Sequence, residues 1–160
     1  MTSLHFFKPE DVSGLQYTLD ETQSLFTATA EEALERIKER DDDLAYPITI
    51  FHDEKPAGFF VLDFGEDKFD LTENKNSVLL RSFSINPQLQ GKGIGKSAMM
   101  NLDDFVKEHF GECNEMVLAV NEKNSSAYQL YLKTGYVFEG KTRVGRSGPQ
   151  FLMYKTLRKF

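Results

Sequence analysis

Asn86-Pro87-Gln88-Leu89-Gln90-Gly91-Lys92-Gly93-Ile94-Gly95-Lys96-Ser97 stands between an apolar, β-rich run, Val78 to Ile85, and a stretch with helical periodicity. Three glycines in five residues let the backbone bend tightly and turn several N–H groups toward one point. The helix that follows adds its positive N-terminal end. Such a segment is an anion cradle, suited to a phosphate or pyrophosphate, and Lys92 and Lys96 bring local positive charge to it. A glycine-rich connection without a ligand is the plain alternative, but a mere connection needs neither the three glycines nor the lysines.

Two nucleotide-binding patterns come close and fail. Gly95-Lys96-Ser97 matches the end of the G-x-x-x-x-G-K-[ST] loop, which demands glycine where Gln90 stands. That loop also needs an apolar strand ending in aspartate to hold magnesium, whereas the run Met116 to Val120 is followed by Asn121. The dinucleotide pattern G-x-G-x-x-G starts at Gly91 and Gly93 and meets Lys96 where its third glycine belongs.

Downstream, Ile94, Ala98, Leu102, Phe105, Val106 and Phe110 recur at helical spacing, which predicts a long amphipathic helix from Gly93 to about Phe110. Met116 to Val120 reads as a strand buried on both faces, Ser125 to Lys133 as a helix stopped by Gly135. Tyr136 to Thr142 and Phe151 to Leu157 form a terminal hairpin around Arg146-Ser147-Gly148-Pro149. Upstream, Leu4 to Lys8 reads as a first strand and a helical stretch begins near Glu10. Thr29 and Glu32 make a capping box that starts a helix from Ala30 to about Arg40. Tyr46 to Phe51 and Ala57 to Phe64 are strands joined through His52 to Pro56, and Gly65 to Ser77 is a polar loop. This order implies an α/β (α+β) fold, a mixed sheet of about six to seven strands flanked by helices, with residues 1–160 as a single domain.

The 160 residues include 19 Lys plus Arg against 25 Asp plus Glu, a formal charge of −6. That balance lacks the diffuse positive field of a nucleic-acid binder. No apolar run approaches the ~20 residues needed to cross a bilayer, and the first residues lack the pattern of a signal peptide, so no membrane association and a cytoplasmic location are expected. A lone cysteine, Cys113, excludes an intramolecular disulfide, and His5, His52 and His109 show no metal-ligand spacing.

Gln90-Gly91-Lys92-Gly93-Ile94-Gly95 resembles the R/Q-x-x-G-x-G/A signature of the acetyl-CoA-dependent N-acetyltransferases of the GNAT superfamily. Asn124-Ser125-Ser126-Ala127-Tyr128-Gln129-Leu130-Tyr131-Leu132-Lys133-Thr134-Gly135-Tyr136 resembles that family's N-x-x-A-x-x-L-Y-x-K-x-G-F/Y element, in the correct order along the chain. The resemblance implies the GNAT fold, acetyl-CoA (CoA) as the acyl donor, an amine acceptor as the other partner, and room for a homodimer. By the same resemblance Phe83, Ser84 and Ile85 offer backbone groups to the pantetheine arm. The amides of Gln90, Gly91, Lys92, Gly93, Ile94, Gly95 and Lys96 bind the pyrophosphate. Asn124 contacts the cofactor with Tyr128 nearby, and Tyr131 protonates the departing thiolate. Asn124 as a simple helix cap and Tyr131 as a packing ring are the structural alternatives.

A phenol of pKa about 10 is protonated at pH 7 and close enough to a thiol of about 8.5 to hand over a proton. The acceptor poses the opposite problem, since an alkyl ammonium of pKa about 10.4 is neutral in only about one molecule in 2,500 at pH 7. Family members often carry a glutamate on the strand before the loop, but here that strand has no acid and bears Arg81, so the base is unassigned. Direct transfer of acetyl to a primary amine of a polyamine-like or other small molecule, or of a peptide, is the function implied. A non-catalytic acyl-CoA-binding module is the alternative. The acidic residues Asp41 to Asp43, Glu66, Asp67, Asp70 and Glu73 suit either a polycationic acceptor or ordinary solvated loops.

Overall fold

The computed structural model describes residues 1–157. Strand β1 (Thr2–Phe6), helices α1 (Glu21–Phe26) and α2 (Ala30–Arg40), and strands β2 (Ala45–His52), β3 (Lys55–Asp63) and β4 (Ser77–Ile85) come first. Helix α3 (Ile94–His109), strand β5 (Glu115–Asn121), helix α4 (Ser125–Lys133) and strands β6 (Val137–Gly145) and β7 (Gly148–Thr156) follow. The strands make one seven-stranded sheet in the order β1-β2-β3-β4-β5-β7-β6. β4 and β5 run parallel, as a crossover through α3 requires, and the remaining neighbours are antiparallel. The mixed α+β architecture read from the sequence is therefore present.

Local chemistry explains the helices that flank the sheet. Thr29 Oγ1 accepts the Glu32 amide and Glu32 Oε1 accepts the Thr29 amide, both at 3.1 Å, so the capping box forms and starts α2. Ala30 and Ala33 of α2 pack with Phe59 and Val61 of β3. The alternate residues Phe60 and Leu62 join Ala98, Met99, Leu102 and Val106 of α3 in the main core. Successive strand residues point to opposite faces, so α2 and α3 cover opposite faces of the sheet, and β3 is buried throughout its middle.

Several expectations need correction. The helical stretch from Glu10 is a 3₁₀ turn over Pro9–Leu15, followed by irregular chain to Asp20, whose carboxylate accepts the Gln23 amide at 2.8 Å and starts α1. Gly14 packs against Pro56, where an added Cβ would lie 2.8 Å from the ring, and that contact holds the 3₁₀ segment on the β2–β3 hairpin. β1 spans Thr2–Phe6, because the Lys8 amide is taken by the Asp11 carboxylate at 2.9 Å. The first hairpin is tighter than expected: Asp53 and Glu54, with φ of 49° and 69°, turn the chain between paired His52 and Lys55, leaving Pro56 inside β3. The loop from Gly65 contains a 3₁₀ turn over Glu66–Asp70, anchored by buried Lys68, whose Nζ donates to the carbonyls of Lys75 and Ser77 at 2.9 Å.

Candidate active site

β4 and β5 pair only at Ser77 with Glu115, Val78 with Met116 and Leu79 with Val117. Past that point the strands carry no ladder bonds to each other. β4 also bulges: its register against β3 shifts between Arg81 and Ser84, with Ser82 in the left-handed region at φ 58°. A non-glycine residue held there is strained, which is common where a strand re-aims side chains at a site. A cavity of about 790 Å³ opens between the splayed strand ends, of a size to bury most of a cofactor-sized molecule.

The glycine loop forms one rim. Gly91 at φ 83° and Gly93 at φ 74° are left-handed, and nothing lies within 4 Å of where a Cβ on either would sit. Gly93 caps α3 without a side-chain acceptor, so the first N–H groups of this 16-residue helix keep no side-chain partner at the cap. Gly95 is different: it lies inside α3, and its Cβ position would meet Leu130 at 3.5 Å and Phe83 at 3.6 Å, ordinary packing distances. Phe83, Ile85, Gln90, Gly91, Gly93, Ile94, Gly95, Lys96, Asn124 and Tyr131 all line the cavity.

Ser84, Lys92 and Tyr128 do not. Ser84 is buried, its hydroxyl 2.6 Å from Tyr17 Oη, and its carbonyl accepts from the same phenol at 3.3 Å. Burial, partly offset by the Ser84 hydrogen bond, pushes the Tyr17 phenol up to about 12. Tyr128 turns its ring to Phe138 and Phe151 on the far hairpin. Asn124 accepts the Ala127 amide at 3.4 Å, so it caps α4 while facing the cavity. Tyr131 is buried at 7% exposure, its ring against Phe83 and Tyr136, and burial pushes its phenol well above the ordinary range.

Residues of α1 enter the site without having been singled out in the sequence. Gln23 bonds both the amide and the carbonyl of Ile85 at 3.3 Å, and the Asp20 carboxylate accepts from Gln90 at 3.3 Å. Asp20 is the one acid lining the cavity among the described residues. The capping pattern at Asp20 was the available signal, hidden because the preceding segment reads as helix. Arg81 replaces a strand base with a structural ion pair: it meets Asp63 at 3.1 Å and Asp67 at 2.8 Å. Burial alone would raise the Asp63 carboxyl, but bonds from Arg40, the Gly65 amide and Arg81 outweigh it and hold the group below its usual range. Cys113 lies outside the cavity, buried after α3, and burial pushes its thiol up.

A parallel strand pair that splays over a cavity, with an open glycine loop and helix N-terminus on its rim, defines an acyl-carrier-binding α/β protein of the acetyltransferase kind. Residues 15–136 match the model of the acetyltransferase (GNAT) family, and the chain belongs to that family. It is 36% identical to the uncharacterized N-acetyltransferase YbbJ of Bacillus subtilis (strain 168) over 157 residues, 97% of each chain. A spermine/spermidine N(1)-acetyltransferase of the same organism is 27% identical over 95 residues, covering 59% of this chain and 61% of the relative. Among solved structures, AAC(6')-Ib in complex with paromomycin and acetyl-CoA superposes with a TM-score of 0.79 at 16% identity, covering 97% and 93% of the two chains. The spermidine N-acetyltransferase of Vibrio cholerae with CoA and spermine gives 0.70 at 19%, covering 98% and 95%. The protein is thus an acetyl-CoA-dependent N-acetyltransferase.

Proposed function

We propose that the protein, acting as one domain, transfers acetyl from acetyl-CoA directly to a primary amine of a small molecule or peptide within a ternary complex. The splay of β4 from β5 beside an unfilled left-handed glycine rim carries this reading, because it joins a slot for an extended arm to an anion site. The amides around Gly91 and Gly93, the N-terminus of α3 and Lys96 hold the pyrophosphate. Lys92 adds charge from outside the cavity, and Asn124 faces the cofactor from α4. Phe83 and Ile85 flank the arm, whose access to Ile85 backbone groups requires Gln23 to let go of them. Acetyl-CoA supplies an acetyl group already activated as a thioester. Tyr131 holds a proton on its Oη and offers it to the sulfur. Since burial keeps that phenol protonated, its first contribution is a hydrogen bond to the growing negative charge.

With Asp20 committed to the α1 cap and Arg81 to its ion pairs, no free carboxylate among the described residues lines the cavity to take the proton of the amine. Deprotonating an ammonium of pKa about 10.4 at pH 7 costs about 4.6 kcal/mol, which water in the cleft must carry. Activity against a fully aliphatic amine therefore rises about tenfold per pH unit until the amine itself titrates. Initial rates with both substrates varied test the scheme. Intersecting reciprocal plots with one acetylated amine per CoA released are expected. Parallel plots with an acetyl adduct on Cys113 would overturn direct transfer, and CoA binding without amine-dependent release would leave a binding module.

A further inference from the structure

We propose that the acceptor amine also carries an anionic group, a carboxylate or phosphate, held by arginines on the α2 side of the cleft. The inference rests on the transferase reading above and adds the class of acceptor. A depression of about 340 Å³ lies on the α2 side of the sheet and shares Leu80, Arg81 and Ser82 of β4, and Ala119 and Asn121 of β5, with the cofactor cavity. A molecule seated there reaches the splayed strand ends from the side opposite the core helix α3. Four arginines line it: Arg36 from α2, Arg81 from β4, Arg143 from β6 and Arg146 from the β6–β7 turn. No acid, lysine or histidine is among its described lining residues, in a protein whose formal charge is −6.

The acids that answer these arginines stand behind or beside them. Arg81 is paired with Asp63 and Asp67. Arg143 meets Asp70 at 3.6 Å and donates from Nε to Gln150 at 2.8 Å. Neither Arg36 nor Arg146 has an ion pair within 4 Å among the described residues. Glu32 accepts from the Thr29 amide, and its carboxyl is lowered first by the Thr29 hydrogen bonds and only weakly by the charges of Arg36 and Arg146. The turn that bears Arg146 is held in place: Asn121 Nδ2 donates to the Ser147 carbonyl at 2.9 Å, and Ser147 Oγ to the Leu25 carbonyl at 3.1 Å.

Guanidinium forks match carboxylate and phosphate oxygens in pairs, and a concave site lined by one sign of charge concentrates the opposite sign. A polyamine meets the reverse situation, several positive charges against four arginines. Three of the acids suited to attracting one are engaged elsewhere, Asp42 with Arg40, Asp67 with Arg81 and Asp70 with Arg143.

Matched acceptors test the proposal: β-alanine against β-alaninamide, phosphoethanolamine against ethanolamine, and spermidine as the polycation. The anionic member of a pair should exceed its neutral partner in kcat/KM by about tenfold or more, and whichever anion leads identifies the group bound. Arg36→Ala and Arg146→Ala should collapse that ratio, and Arg146→Lys should restore part of it. The melting shift with CoA reports whether each variant keeps its fold. Spermidine or a neutral amine as the best acceptor would overturn the anion site and leave the transferase reading standing. If no amine turns over, the melting temperature of the CoA-loaded protein with each anionic amine decides. A shift lost in the arginine variants would support the anion site against the transferase reading, and no shift would overturn the anion site.

Discussion

Tyr131 separates packing from chemistry within one side chain. Its ring is enclosed by Phe83 and Tyr136, while the phenol lines the cavity and makes no hydrogen bond to the described protein residues. Tyr131→Phe keeps the ring and removes only the hydroxyl, so the melting temperature should hardly change. Turnover with the best acceptor should fall about 10² to 10⁴ with little loss of acetyl-CoA affinity. A loss under about fivefold would assign thiolate protonation to water and leave Tyr131 as a packing residue. The burial that keeps the proton in place also makes the phenol a weaker acid, which favours hydrogen bonding over full transfer early in the reaction. Arg81 shows the converse at the same scale: a position facing the cleft is committed to Asp63 and Asp67.

At the scale of elements, the loop and α3 act as one device. Gly91 and Gly93 adopt left-handed φ with open space beside them, whereas Gly95 is helical and in contact with its neighbours. Gly93→Val therefore pays backbone strain of about 1–2 kcal/mol and places a branched side chain over the proposed pyrophosphate site at the loop amides. Calorimetry should show CoA binding lost in a protein that still folds. Normal binding by that variant would place the phosphates elsewhere. Gly95→Ala meets only van der Waals distances and should bind far better than the Gly93 variant. β4 matters as much as the loop, since its bulge at Ser82 and its short pairing with β5 create the slot that the loop closes.

For the whole molecule, ligand binding is stabilisation. The cavity draws on β4, β5, α1, α3 and α4, so CoA bound there would bridge elements that unfolding separates. At 100 times the dissociation constant the gain is about 2.7 kcal/mol, equivalent to a rise of about 5–10 °C in Tm for a domain of this size. A flat melting curve at millimolar CoA would count against a CoA site in this cleft. Charge is also arranged at this scale: a net negative chain gathers four arginines on one face of the cleft, an asymmetry that composition averages away.

The amino-acid pattern by itself determined the mixed α/β order, the limits of α2, α3 and α4 to within a residue or so, and the glycine rim, because capping boxes, 3.6-residue periodicity and glycine clusters act over a few neighbouring residues. The family resemblance brought Asn124 and Tyr131 to the cavity, whereas the Tyr128 ring turns to Phe138 and Phe151, because a motif match does not say which neighbour a ring will meet. The segment from Pro9 to Phe26 was illegible for the same reason. Its short turns gain their stability from contacts such as Gly14 with Pro56 and Gln23 with Ile85, far apart in the chain. Only the tertiary structure decided where β4 and β5 part, which acids are consumed in ion pairs, and that Arg36, Arg81, Arg143 and Arg146 share one depression. Each depends on long-range register and packing, and neither leaves a periodic trace in the sequence.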